Sequence, residues 1–125
     1  METRLNVKVY YEDTDCMGVV YHANYLKYFE RGRTDWIGKL GRPILDWNRE
    51  GYNFAVYKML ITFRKSARLG DELEVVTDSS GGTDFRKKMV QKLLLQGEVI
   101  TEVEVDLVCL DSSMTLRDFP PGLFP

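Results

Sequence analysis

Residues 11–25 read YEDTDCMGVVYHANY, which sets Asp13 and Asp15 in a short loop that Gly18 turns into the start of an amphipathic helix. These residue types suit chemistry on a polarised carbonyl. A carboxylate can deprotonate water or attack the carbon itself, and the free N–H groups at a helix start stabilise the oxyanion that results. Asp15 lies seven residues before His22, so the loop can fold back and bring the carboxylate to the first helical N–H groups. Gly18 permits that fold because glycine alone avoids a Cβ penalty at positive φ. Taken singly, each aspartate is an ordinary turn or cap residue. Cys16, next to Asp15, has no base oriented toward it by the pattern and is set aside as a nucleophile.

The loop needs a strand to deliver it and a helix to receive it. Residues 4–10 alternate Leu5, Val7 and Val9 with polar neighbours, and read as the strand. Residues 22–40 carry Leu26, Phe29, Trp36, Ile37 and Leu40 at helical period, with Gly41 as a stop and Pro43 beyond it. Gly32 and Gly38 weaken this helix by about 1 kcal/mol each relative to alanine, which points to close packing against a sheet. Asn24 would be the ordinary N-cap, in conflict with a start at His22 by about two residues. A short helical turn is expected at residues 44–50. Strands are expected at 52–64, 72–77, 86–96 and 99–110, with 79–83 as a loop. The last strand alternates Val103, Val105 and Leu107 with Glu102, Glu104 and Asp106, so one face is in and the other out. The three prolines between Met114 and Pro125 predict a loosely ordered tail over about residues 113–125.

Composition bounds the rest. A chain of 125 residues with 44% hydrophobic content supports one core, hence a single domain over 1–125. There is no apolar run of membrane-spanning length, and the opening METRLNVK lacks the apolar centre of a signal peptide, so a cytoplasmic protein is expected. Two cysteines and one histidine are too few for a disulfide framework or a zinc site, and no metal or cofactor is expected. A net charge of −2 argues against nucleic acid as a partner, because such binding needs a basic field. Local basic runs can still hold phosphates: Arg86, Lys87 and Lys88 form one, Arg64 and Lys65 a second. The competing reading of the first is a charged strand guarding a sheet edge.

The order Asp15, Gly18, Val19, Val20, Tyr21, Asn24, Tyr25 resembles the 4-hydroxybenzoyl-CoA thioesterase family, and within it the small members encoded beside Tol-Pal genes. ARLGDEL at 67–73 and EVEVDLVCLD at 102–111 are weaker points of similarity, and together the three span most of the chain. The resemblance implies an α+β hotdog fold, a long central helix wrapped by a five-stranded antiparallel sheet, and hydrolysis of a small aromatic or short-chain acyl-CoA thioester. It implies Asp15 as general base or nucleophile and the His22 backbone N–H as oxyanion donor, with the imidazole either touching substrate or merely capping. Asp13, Gly18, Tyr21, Asn24 and Tyr25 are implied as supporting residues, and Arg86, Lys87, Lys88, Arg64 and Lys65 as holding coenzyme A. Tyrosines 21, 25 and 28 could wall the acyl pocket, although tyrosines at helical spacing are more often core. A homodimer or homotetramer is implied, with sites between subunits. Two other readings share the pattern: a thioesterase acting on acyl carrier protein, and a non-catalytic acyl-binding or scaffold protein.

Overall fold

The computed structural model describes residues 1–124, and Pro125, the last residue of the expected tail, lies outside them. Strand β1 (Thr3–Lys8) leads through the acidic loop to helix α1 (Tyr25–Lys39), then a short helix α2 (Ile44–Arg49). Strands β2 (Asn53–Phe63), β3 (Glu72–Gly82), β4 (Arg86–Leu95), β5 (Glu98–Leu110) and β6 (Leu116–Arg117) follow. All pairings are antiparallel, in the order β1-β3-β4-β5-β2, with the two-residue β6 added beside β5. The sheet therefore has six strands rather than the expected five.

Helix α1 lies across one face of this sheet because its buried positions recur at helical period: Tyr25, Tyr28, Phe29, Gly32, Arg33, Trp36 and Ile37. The facing strands contribute Val75, Met89, Leu93, Val103, Val105 and Leu107, every second residue of each, as the pleat requires. Gly32 is the point of closest approach. A Cβ there would stand 2.5 Å from Val75 Cγ1 and 2.8 Å from Thr77 Oγ1. Gly38 meets nothing, so the close packing expected at both glycines holds at one. Leu26, expected on the apolar stripe, is on the exposed side.

A buried polar knot locks helix to sheet. Gln91 donates from Nε2 to the Phe29 carbonyl at 2.8 Å and to Thr77 Oγ1 at 3.0 Å, and accepts from Arg33 Nη1 at 3.0 Å. Arg33 also pairs with Glu30.

Two expectations are corrected. Residues 79–83 are not a loop: β3 continues through Gly82, with an irregular register between Ser79 and Gly82. The Ser-Ser-Gly-Gly composition resembles a loop, but Gly82, at φ +127°, lets the strand cross the Arg86 backbone where any Cβ would collide. The tail is not loose either, as Phe119, Leu123 and Phe124 are buried. Phe119 stacks on Phe54 with ring centroids 5.8 Å apart, and Phe124 packs on Trp36 at 5.2 Å. Apolar burial outweighs the prolines, which shape the segment without freeing it.

Candidate active site

Asp15 sits in a tight turn that its own groups close. Its N–H donates to the Val19 carbonyl at 2.9 Å and its carbonyl accepts from Gly18 N–H at 3.0 Å. Carboxylate atom Oδ1 accepts from Met17 N–H at 2.8 Å, which fixes the side chain, and Oδ2 takes no protein donor among the described residues. The half-buried carboxylate thus has one oxygen oriented and one available to water. Gly18 takes φ +79°, the left-handed conformation that the turn requires.

Asp13 ties this loop to the helix. Its carbonyl accepts from Tyr21 N–H at 2.9 Å and from Asn24 Nδ2 at 2.9 Å, while its own carboxylate accepts from Tyr10 N–H at 2.9 Å. Asp13 is buried, so these bonds form a structural clasp. The Asn24 side chain reaches back to the loop instead of capping α1. Between loop and helix, residues His22–Asn24 make a 3-10 turn and the α-helix proper begins at Tyr25, so the expected start at His22 marks this turn and the N-cap position falls at Asn24. The N–H groups of His22 and Ala23 have no protein acceptor among the described residues. They are unpaired donors at the entry to α1, of the polarity an anion would need. The His22 imidazole is exposed and lies against Tyr21, ring centroids 4.4 Å apart.

Tyr25 and Tyr28 are core residues, buried edge to face with one another at 6.3 Å. Burial pushes the Tyr28 phenol well above its ordinary range and the Asp13 carboxylate beside it adds to the rise, yet among the described residues the buried hydroxyl has no hydrogen-bond partner. Tyr21 is exposed, so none of the three forms the enclosed wall that the sequence allowed.

The basic runs fall at opposite ends of the sheet. Arg64 and Lys65 lie at the end of β2 near the Asp15 loop, paired with Glu102 at 2.8 Å and Glu98 at 2.6 Å. The adjoining Arg68 bridges to Val19. Arg86, Lys87 and Lys88 open β4 at the far end, nine residues from Leu95 and therefore roughly 30 Å from the loop end of the strand. Register puts Lys87 on the helix side with Met89, and Arg86 and Lys88 on the other. Arg86 pairs with Asp106 at 2.6 Å and lies over the Tyr57 ring at 4.6 Å. One protomer does not bring these cations to its own Asp15. The strap at Ala67 and Arg68 falls in the ARLGDEL stretch, whose composition gives no sign that it pairs with the Asp15 loop.

Residues 9–123 match the thioesterase-like superfamily. The chain belongs to that superfamily. This thioesterase is 38% identical over 125 residues to the acyl-CoA thioester hydrolase YbgC of Escherichia coli O6:H1, covering 96% of this chain and 91% of that one. It is 34% identical to the acyl-CoA thioesterase YbgC of Haemophilus influenzae, over 95% of this chain and 85% of the relative. Among solved structures, a probable thioesterase from Bartonella henselae superposes with a TM-score of 0.90 at 31% identity, covering 96% of this chain and all of that one. A DHNA-CoA thioesterase from Staphylococcus aureus superposes at 0.89 with 26% identity, covering 94% and 80%. The enzyme is a thioester hydrolase with the hotdog fold expected from the loop motif. Among the described residues, no helix is long and apolar enough to cross a membrane.

Proposed function

We propose that this enzyme hydrolyses the thioester of a small aromatic or short-chain acyl-CoA, with Asp15 as general base or nucleophile. The observation that carries the reading is the pairing within one clasped loop of a half-buried carboxylate, one oxygen free, with two unpartnered N–H groups at the entry to α1. In this reading the acyl carbonyl oxygen sits on the His22 and Ala23 N–H groups, whose fixed dipoles meet the developing negative charge without reorganising. Asp15 takes a proton from water, or attacks the carbonyl and forms an anhydride that water then cleaves; the thiolate of coenzyme A leaves and is protonated. The His22 imidazole is not required for either route. The names of the YbgC relatives support coenzyme A as the thiol carrier.

The reading includes a shared site. The long strand β2 has a free edge with Val56, Tyr57, Leu60 and Phe63 exposed, a surface suited to a second copy of the chain. The separation of Arg86 and Lys88 from the Asp15 loop supports the same arrangement, since a neighbouring subunit can supply the phosphate contacts that one protomer cannot.

The test is release of free thiol from a panel of acyl-CoAs, with Asp15→Asn as the control. Release by the parent and its collapse in the folded variant support the reading, whereas near-normal turnover by Asp15→Asn removes it. If acyl groups on carrier protein turn over and matched CoA esters do not, the carrier is protein-borne pantetheine.

A further inference from the structure

We propose that Tyr25 is a positioning residue for Asp15, acting through a relay of backbone hydrogen bonds rather than as part of the acyl pocket. The inference rests on the Asp15 reading above. Tyr25 is 3% exposed, and its hydroxyl oxygen accepts from Ala67 N–H at 3.0 Å. The Ala67 carbonyl accepts from Val20 N–H at 2.9 Å, and the Val19 carbonyl accepts from Asp15 N–H at 2.9 Å. Val19 bridges to Arg68, the residue after Ala67. The phenol oxygen therefore pins a strap, the strap pins the second arm of the turn, and that arm holds the backbone of Asp15. The ring is fixed in turn by edge-to-face packing on Tyr28 and Phe63, at 6.3 and 5.5 Å. Helix α1 thus sets the position of the carboxylate from below, in addition to lending its N-terminal end to the oxyanion.

Burial raises the Tyr25 phenol, the Ala67 N–H opposes the rise, and the Asp15 and Asp71 carboxylates add to it. The group stays a neutral hydroxyl at neutral pH. Its oxygen is occupied by Ala67, and Asp15 lies within its electrostatic reach.

Tyr25→Phe deletes one oxygen and keeps the ring. The expected result is a fall in kcat of at least about tenfold with KM for acyl-CoA within about threefold, because loss of carboxylate alignment acts on the reaction step more than on binding. Amide hydrogen exchange, read without substrate, should quicken by about tenfold at Asp15, Val20 and Ala67 and stay unchanged at Leu93 and Val105 in the sheet core. Placing 3,5-difluorotyrosine at position 25, read at a pH low enough to keep its more acidic phenol protonated, weakens the oxygen as an acceptor while preserving the hydroxyl, and gives the same two readouts at smaller size if the phenylalanine variant does not fold. Unchanged exchange at Asp15 overturns the relay whatever the activity does. Retained turnover in Asp15→Asn overturns the Asp15 mechanism instead, and leaves the exchange result standing.

Discussion

Replacing Asp15 by asparagine alters a single atom at the turn and preserves an oxygen that can still accept from Met17 N–H. An amide is neither base nor nucleophile, so turnover should fall at least about 100-fold while circular dichroism keeps its native form. Asp13→Asn also preserves an acceptor for Tyr10 N–H, and the two bonds that clasp loop to helix are made by its backbone carbonyl. It should cost turnover much less than the Asp15 change; equal losses in matched assays would make the two acids one coupled unit. The cysteines divide by burial. Cys16 is exposed, while burial of Cys109 pushes its thiol up and away from reactive thiolate. A thiol reagent should titrate one cysteine in the native enzyme and two in denaturant, and two native thiols would contradict the packing around β5. The acidic loop was legible because its neighbours in sequence are its neighbours in space: Asp15, Gly18 and the entry to α1 form one local loop. Ala67 and Tyr25 were not legible as partners, because a backbone N–H meeting a phenol 42 residues away leaves no periodic trace.

At the scale of elements, Gly32→Ala sets two effects against each other. The helix gains about 1 kcal/mol of propensity. The new methyl meets Val75, Thr77 and Gln91 at 2.5 to 2.9 Å, all three buried and the last two hydrogen-bonded to each other, and such overpacking costs about 1–3 kcal/mol. Net destabilisation is expected, and a raised thermal midpoint would show that helix and sheet can part more easily than their contacts imply. The β4–β5 pair carries an acid-sensitive link: Arg86, by hydrogen bond and charge, holds the Asp106 carboxyl below the usual carboxylate range. A lowered carboxyl contributes stability above the unfolded-state value of about 3.9, and that contribution is lost as pH falls through the folded value. Asp106→Asn should therefore flatten the decline of stability below about pH 4, measured by acid titration of the circular dichroism signal. Strand alternation and the α1 stripe were readable because each follows a short period. Residues 79–83 and the tail differ from expectation for separate reasons: pairing with β4 carries β3 on through an exposed glycine stretch, whereas burial of Phe119, Leu123 and Phe124 fixes a tail that its prolines alone would leave loose.

At the scale of the molecule, the free edge of β2 and the distance between Arg86 and the Asp15 loop concern assembly. Light scattering should report at least a dimer at micromolar concentration, and a fully active monomer would remove the shared site. Neutralising Arg86, Lys87 and Lys88 should raise KM for acyl-CoA and largely spare kcat, since remote phosphate contacts act on ground-state binding. Mixing this triple variant with Asp15→Asn, assayed at acyl-CoA well below the triple variant's raised KM, should then give more activity than the two added separately, provided the subunits exchange. The excess is absent if each chain builds its own site. The two ends of the described chain also converge on one residue. The Trp36 indole N–H donates to the Met1 carbonyl at 2.7 Å, and its ring packs on Phe124 at 5.2 Å. Trp36 is therefore an optical reporter whose surroundings include both chain ends packed on α1. A stopped-flow trace that follows it, with Trp47 replaced by phenylalanine, would time the docking of those ends together with the closing of the core around α1.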